Sequence, residues 1–182
     1  MVCKELKTTN FEQLKPKMTT GTCILWRGNF LISEVIQQWT EYSHASLIVR
    51  FNRYPLLKDK VFLIEAYEHG LEFNDLEERL EEEPGRVDLF VPYDLDKWKA
   101  LAIFKNAFLF LAHNTGYDYA GLFKSAFTHP DRDPTRFFCS EFVDYIWITN
   151  GLRRKVNNTL VAWPGDIPKW WDGQLYTIKE DG

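Results

Sequence analysis

The chain has 182 residues, 45% of them apolar, which is enough to bury a core without disulfide or metal staples and reads as one domain. A net charge of −4 with no clustered basic face argues against a general nucleic-acid binder, and three cysteines without CxxC or Cys/His ligand spacing indicate neither a disulfide framework nor a zinc site. The N-terminus lacks an apolar signal-peptide core, and the longest nearly apolar run, 100–112, is shorter than the roughly 20 residues that span a bilayer, so the expectation is a cytoplasmic protein without transmembrane segment or cofactor.

In chain order, residues 1–20 are polar and read as an irregular or short helical lead-in. Residues 22–27, with Cys23, Ile24, Leu25 and Trp26 in succession between Gly21 and Gly28, predict a buried strand. Phe30, Ile32, Val35, Ile36 and Trp39 are spaced for a helix. Residues 42–51 and 61–67 predict two antiparallel strands around a loop that holds Asn52, Pro55 and Asp59. The stretch 71–83 is acidic, and its glutamates read as a solvated helix face. A strand over 86–93 is closed by Pro92. Residues 95–113 predict a long helix, apolar on most faces and therefore buried; the competing reading is a membrane-lying segment, for which Lys97, Lys99 and Lys105 are few cations. A short aromatic helix is predicted over 117–127, followed by a loop over 128–135, and the tail carries Trp163, Trp170, Trp171 and Tyr176.

The most informative stretch is 137–150. Counting from Cys139, Phe142, Val143, Ile146 and Trp147 fall at i+3, i+4, i+7 and i+8, the apolar stripe of an amphipathic helix that stops at Asn150-Gly151. Cys139 therefore lies in the first turn, where unpaired backbone N–H groups and the helix dipole stabilise an anion. A thiol there ionises more easily than the reference of about 8.5, and the same N–H groups suit an oxyanion. The competing reading is an inert core thiol, since free cysteine is often buried.

A thiol nucleophile needs a base and a group that orients the base. His69, His113 and His129 sit in turn-like contexts, whereas His44 opens a strand that would aim its ring. Glu65 interrupts the apolar run 61–66, and a carboxylate in a strand core needs a partner. A hairpin register that sets His44 opposite Glu65, Ser46 opposite Leu63 and Ile48 opposite Val61 brings ring and carboxylate within about 5 Å.

Five stretches carry a family resemblance: residues 21–28, Tyr42-Ser43-His44-Ala45-Ser46, Ile64-Glu65-Ala66 with Gly70, Phe138-Cys139-Ser140-Glu141-Phe142-Val143, and Trp163-Pro164-Gly165-Asp166. Together they resemble the YiiX-type branch of the permuted NlpC/P60 papain-like proteins, over about residues 21–167. The order His, Glu, Cys is what circular permutation of a papain-like chain produces. The resemblance implies an α+β fold, permuted papain-like, with an antiparallel sheet or partial barrel packed against helices. It implies Cys139 as nucleophile, His44 as base, Glu65 as the orienting partner, and Tyr42 as a site residue that donates to the oxyanion.

The leading functional expectation is a cysteine hydrolase that cleaves an amide bond in a peptidoglycan-type peptide or amino-acid conjugate. The alternatives are an acyltransferase or esterase acting on lipid esters, and a binding or structural protein that retains the site without turnover. Partners are accordingly a small peptide, an amino-acid conjugate or an acyl substrate. In the loop before Cys139, Asp131 and Asp133 would favour substrates that present an ammonium group.

Overall fold

The computed structural model describes residues 10–27, 41–67, 69–113, 116–117, 136–157 and 160–180. In order these form helix α1 (Phe11–Leu14) with a 3-10 turn (Lys15–Lys17), strands β1 (Cys23–Arg27), β2 (His44–Val49), β3 (Phe62–Tyr67) and β4 (Gly70–Asp75), and helix α2 (Leu76–Glu82). Then come β5 (Arg86–Pro92), α3 (Lys97–Ala112), two short parallel strands β6 (Gly116–Tyr117) and β7 (Arg136–Phe137), α4 (Cys139–Thr149), α5 (Ile167–Trp170) and β8 (Gly173–Lys179).

The architecture is α+β, organised on a six-stranded antiparallel sheet in the order β4-β3-β2-β1-β5-β8. The sheet is not closed into a barrel. Both faces are covered, which is why β1 and β2 read as almost continuous apolar runs and why every residue of β2 is buried. On the first face Cys23, Leu25, Ala45, Leu47 and Ile64 pack against Phe142, Val143, Ile146 and Trp147 of α4. On the second face Ile24, Trp26, Ile48 and Leu63 pack against Phe11 and Leu14 of α1 and Leu76 and Leu80 of α2.

Two expectations over 71–83 and 95–113 need correction. Residues 70–75 are strand β4 and only 76–82 are helical; Asp75 caps that helix by accepting from the Glu77 N–H at 2.8 Å. The strand was masked by its charges: at the sheet edge it exposes Glu72 and Phe73 and only half-buries Asn74 and Asp75. Helix α3 exists as predicted but is not buried all round. Ile103 and Ala107 are its buried residues, while Trp98, Leu101 and Leu109 face outward. It meets α4, where Asn106 Nδ2 donates to Asn150 Oδ1 at 2.7 Å, and its Phe108 ring packs against Phe73 of β4. The tail supplies a strand, β8, that pairs with β5. The helices predicted over 30–39 and 117–127, apart from Tyr117 in β6, lie outside the described residues.

Helix α4 is held through its second half. Trp147 is buried, and its indole N–H donates to the Gly21 carbonyl at 2.7 Å, while Phe90 and Trp171 pack on its ring. Buried Asp144 accepts from Arg154 Nε at 3.0 Å, and that guanidinium lies over Trp170 and Trp171. The helix ends where the sequence predicted, with Gly151 in the left-handed region at φ 84°.

Candidate active site

The β2–β3 hairpin closes in a different register from the predicted one. The ladder pairs Val49 with Phe62, Ile48 with Leu63 and Leu47 with Ile64, which continued outward sets Ser46 across from Glu65 and Tyr67 across from His44. The offset is two residues. Because side chains alternate with period two, a two-residue slip keeps His44 and Glu65 on one face and makes them diagonal neighbours instead of direct ones. The ladder also stops at Leu47 and Ile64, although both strands run on. That leaves an opening in the sheet where the first turn of α4 meets β2.

Cys139 begins α4 at this opening and is 2% exposed. Burial alone would disfavour its thiolate. The His44 ring, by charge and by a side-chain hydrogen bond, and the backbone N–H groups of Ala45 and Ser140 outweigh burial and lower the thiol below its ordinary range. For His44, burial opposes the charged ring, but the Cys139 sulfur and the Glu65 carboxylate push it up to about 9. The arrangement favours a thiolate beside an imidazolium.

Glu65 is fully buried and supported from several sides. Its Oε1 accepts from Ser46 Oγ at 3.0 Å, and Ser46 Oγ accepts in turn from the Trp26 indole N–H at 2.6 Å. Its Oε2 lies 3.7 Å from His44 Nε2 and 3.6 Å from Arg79 Nε. Both separations exceed a hydrogen bond, so this oxygen is held between two cations by charge. Burial would raise the carboxyl's pKa; His44, Arg79 and Tyr67 together bring it below the ordinary value. Tyr67 stacks on the His44 ring, with centroids 5.0 Å apart and planes at 24°. Arg79 donates to the Tyr67 hydroxyl and lies over the Trp26 and Tyr67 rings.

The structure thus brings Cys139, His44 and Glu65 together. Tyr42 is in a different position from the one expected. Its hydroxyl donates to Asp88 Oδ2 at 2.6 Å, and Arg86 Nε binds the same oxygen at 2.9 Å, so the phenol proton is committed to a buried carboxylate and not aimed at an oxyanion. Asp131 and Asp133 lie outside the described residues. His69 and His113 are exposed, in keeping with their turn contexts.

Ser46, Tyr67 and Arg79 were not singled out from sequence. The first two sit two residues from His44 and from Glu65, so strand alternation places them on the same face. Arg79 is the lone cation within the acidic stretch 77–83, and that contrast was the available signal.

Among the described residues no group of three or more His, Cys, Asp or Glu side chains is placed to hold a metal ion. No family model matches the sequence, and no curated protein matches it. Solved structures do match. One is the metalloprotein yiiX from Escherichia coli O157:H7, at 18% identity and a TM-score of 0.60, over 90% of this chain and 98% of that one. At that identity the likeness establishes a shared, YiiX-like fold.

Proposed function

We propose that this chain is a cysteine hydrolase that opens an amide bond through an acyl-enzyme. The observation that carries the proposal is the contact between Cys139, at the start of α4, and His44, whose Nε2 faces Glu65. In this reading the Cys139 thiolate attacks the carbonyl carbon and the carbonyl oxygen takes up the negative charge. Backbone N–H groups of the first helical turn stabilise that oxyanion. The His44 imidazolium gives its proton to the leaving amine as the C–N bond breaks. Neutral His44 then takes a proton from water, which attacks the thioester and regenerates the thiol. Glu65, backed by Arg79, keeps the ring oriented and stabilises its charged form.

The permuted papain-like assignment belongs to the same proposal; the order His44, Glu65, Cys139 and the helix-on-sheet arrangement support it. The yiiX structure is titled a metalloprotein. The described residues here offer no such ligand cluster.

The test is labelling with iodoacetamide at mildly acid pH, followed by mass spectrometry. Selective alkylation of Cys139 over Cys3 and Cys23 is expected, with loss of selectivity in His44→Ala. Equal labelling of the three cysteines would refute the activated thiolate. Incubation with acyl-amide and acyl-ester substrates, with hydroxylamine to trap the acyl group, then separates amide hydrolysis from ester or acyl-transfer chemistry.

A further inference from the structure

The described residues contain a second concave site, well away from the thiol. A cavity of about 620 Å³ lies beyond the far end of β2, between the loop after that strand and the first turns of α3. His44 opens β2 and Arg50 follows it, a run of six residues, or about 20 Å along an extended strand. The volume is that of a small-molecule site.

Its lining has two chemistries. Phe51, Leu101 and Phe104 make an apolar floor, with the Phe51 and Phe104 rings packed edge to face at 5.3 Å. Arg50, Arg53 and Lys97 bring three cations to the same cavity. Among the described residues none of these three is ion-paired with a carboxylate within 4.0 Å. Arg50 is half-buried, and its guanidinium reaches only the neutral carbonyls of Lys15, Met18 and Lys58. The one acid in the lining, Asp96, is turned to the helix, where it accepts from the N–H groups of Trp98 at 2.7 Å and Lys99 at 3.0 Å. A chain with net charge −4 has thus brought three cations, Arg50 with Asp59 near it, Arg53, and Lys97 beside Asp96, to an apolar hollow.

The rim continues the pattern. Tyr54, in the lining, is 60% exposed, and Leu56 and Trp98, sequence neighbours of the lining, are 95% and 70% exposed. Large exposed apolar side chains beside arginine and lysine suit a ligand with a tail to cover and an anionic head to neutralise.

We propose that this cavity binds an anionic amphiphile, an acyl chain lying on Phe51, Leu101 and Phe104 with its negatively charged head met by Arg53 and Lys97. The head can belong to a free fatty acid or to an anionic lipid in a bilayer. The site is independent of the thiol chemistry.

The test uses the full chain and laurate below its micellar concentration, followed by calorimetry, with lauryl alcohol and acetate as tail-only and head-only controls. A parallel arm measures co-sedimentation with phosphatidylglycerol and phosphatidylcholine vesicles. Saturable laurate binding is expected, weakened about tenfold in Arg53→Glu/Lys97→Glu and unchanged in Cys139→Ala. Lauryl alcohol and acetate should each bind less well than laurate. Co-sedimentation with phosphatidylglycerol alone, lost in the charge-reversed variant and without binding of monomeric laurate, would also support the site and identify a bilayer lipid as its source. Arg53 and Lys97 are exposed, so the variant should melt with the wild type; Leu101→Asp, which attacks the tail and not the head, provides a second readout. Failure of both arms, binding undiminished by charge reversal and by Leu101→Asp, or binding abolished by Cys139→Ala would overturn the proposal.

Discussion

Cys139 and Cys23 are both buried, and they differ in almost everything else. Cys23 opens strand β1 between Leu47 and Phe90 of the two neighbouring strands, 0% exposed, with its thiol directed to the Ile24 carbonyl at 3.4 Å and its pKa driven well above the ordinary value by burial. Cys139 begins a helix, and there the same burial is outweighed by the His44 ring and by N–H groups from Ala45 and Ser140. Desolvation acts in the same direction on both thiols. What separates them is first the His44 ring, which stands beside Cys139 and has no counterpart at Cys23, and then the spare N–H groups of a helix start.

The strongest way to break this comparison is to remove each thiol. On an amide substrate that the wild type turns over, Cys139→Ala should lower kcat/KM by roughly 10⁴-fold or more while the thermal melt changes little. Activity that survives in Cys139→Ala would end its assignment as nucleophile.

The helix that presents Cys139 depends on an anchor at its middle residue, Asp144. Asp144→Ala leaves Arg154 buried against Trp170 and Trp171 without its carboxylate, and should cost about 3–5 kcal/mol in denaturant unfolding. A cost within error of zero would mean that apolar packing alone positions α4.

Cys23→Ser tests the other side of the comparison. It places a hydroxyl in a packed sheet interior and should cost about 1–3 kcal/mol while leaving iodoacetamide labelling of Cys139 intact. Thermal melts in which Cys139→Ala is the more damaging change would reverse the roles given to the two residues.

The smallest effect is the most diagnostic for Glu65. The leaving amine needs protonated His44, so the rate should fall as pH rises through the ring's pKa of about 9. Glu65→Gln removes a charge that favours imidazolium; burial then pulls the ring down, and the alkaline limb of the pH–rate profile should move to lower pH by about one unit. Arg79→Met should shift the limb the other way, because it removes a competing cation and leaves the Glu65 charge to His44. A limb that ignores both changes would mean that Glu65 does not act on the ring.

Local pattern was enough for several conclusions. The strands β1, β2, β3 and β5 were legible as apolar runs between breakers, and α4 as an i, i+3, i+4, i+7 stripe that ends at Asn150-Gly151, because periodicity and stop signals are properties of short stretches of chain. The placement of Cys139 in a first turn followed from that stripe. Other features were set by packing between distant segments. β4 and β8 carry the mixed polarity of edge strands, and only their partners reveal them. The hairpin register fell two residues from the predicted one, since many loop lengths close a hairpin and side-chain alternation cannot distinguish slips of two. The same is true of Tyr42, whose hydroxyl goes to Asp88 on a strand 46 residues away, and of Arg79, which reaches Glu65 from a helix on the second face of the sheet. A side chain's partner depends on which face each element presents after the sheet assembles. The sequence alone therefore pointed to Cys139, His44 and Glu65 as candidates, through a first-turn position, a strand start and an acid in an apolar run, and the tertiary structure decided how the carboxylate is shared between His44 and Arg79.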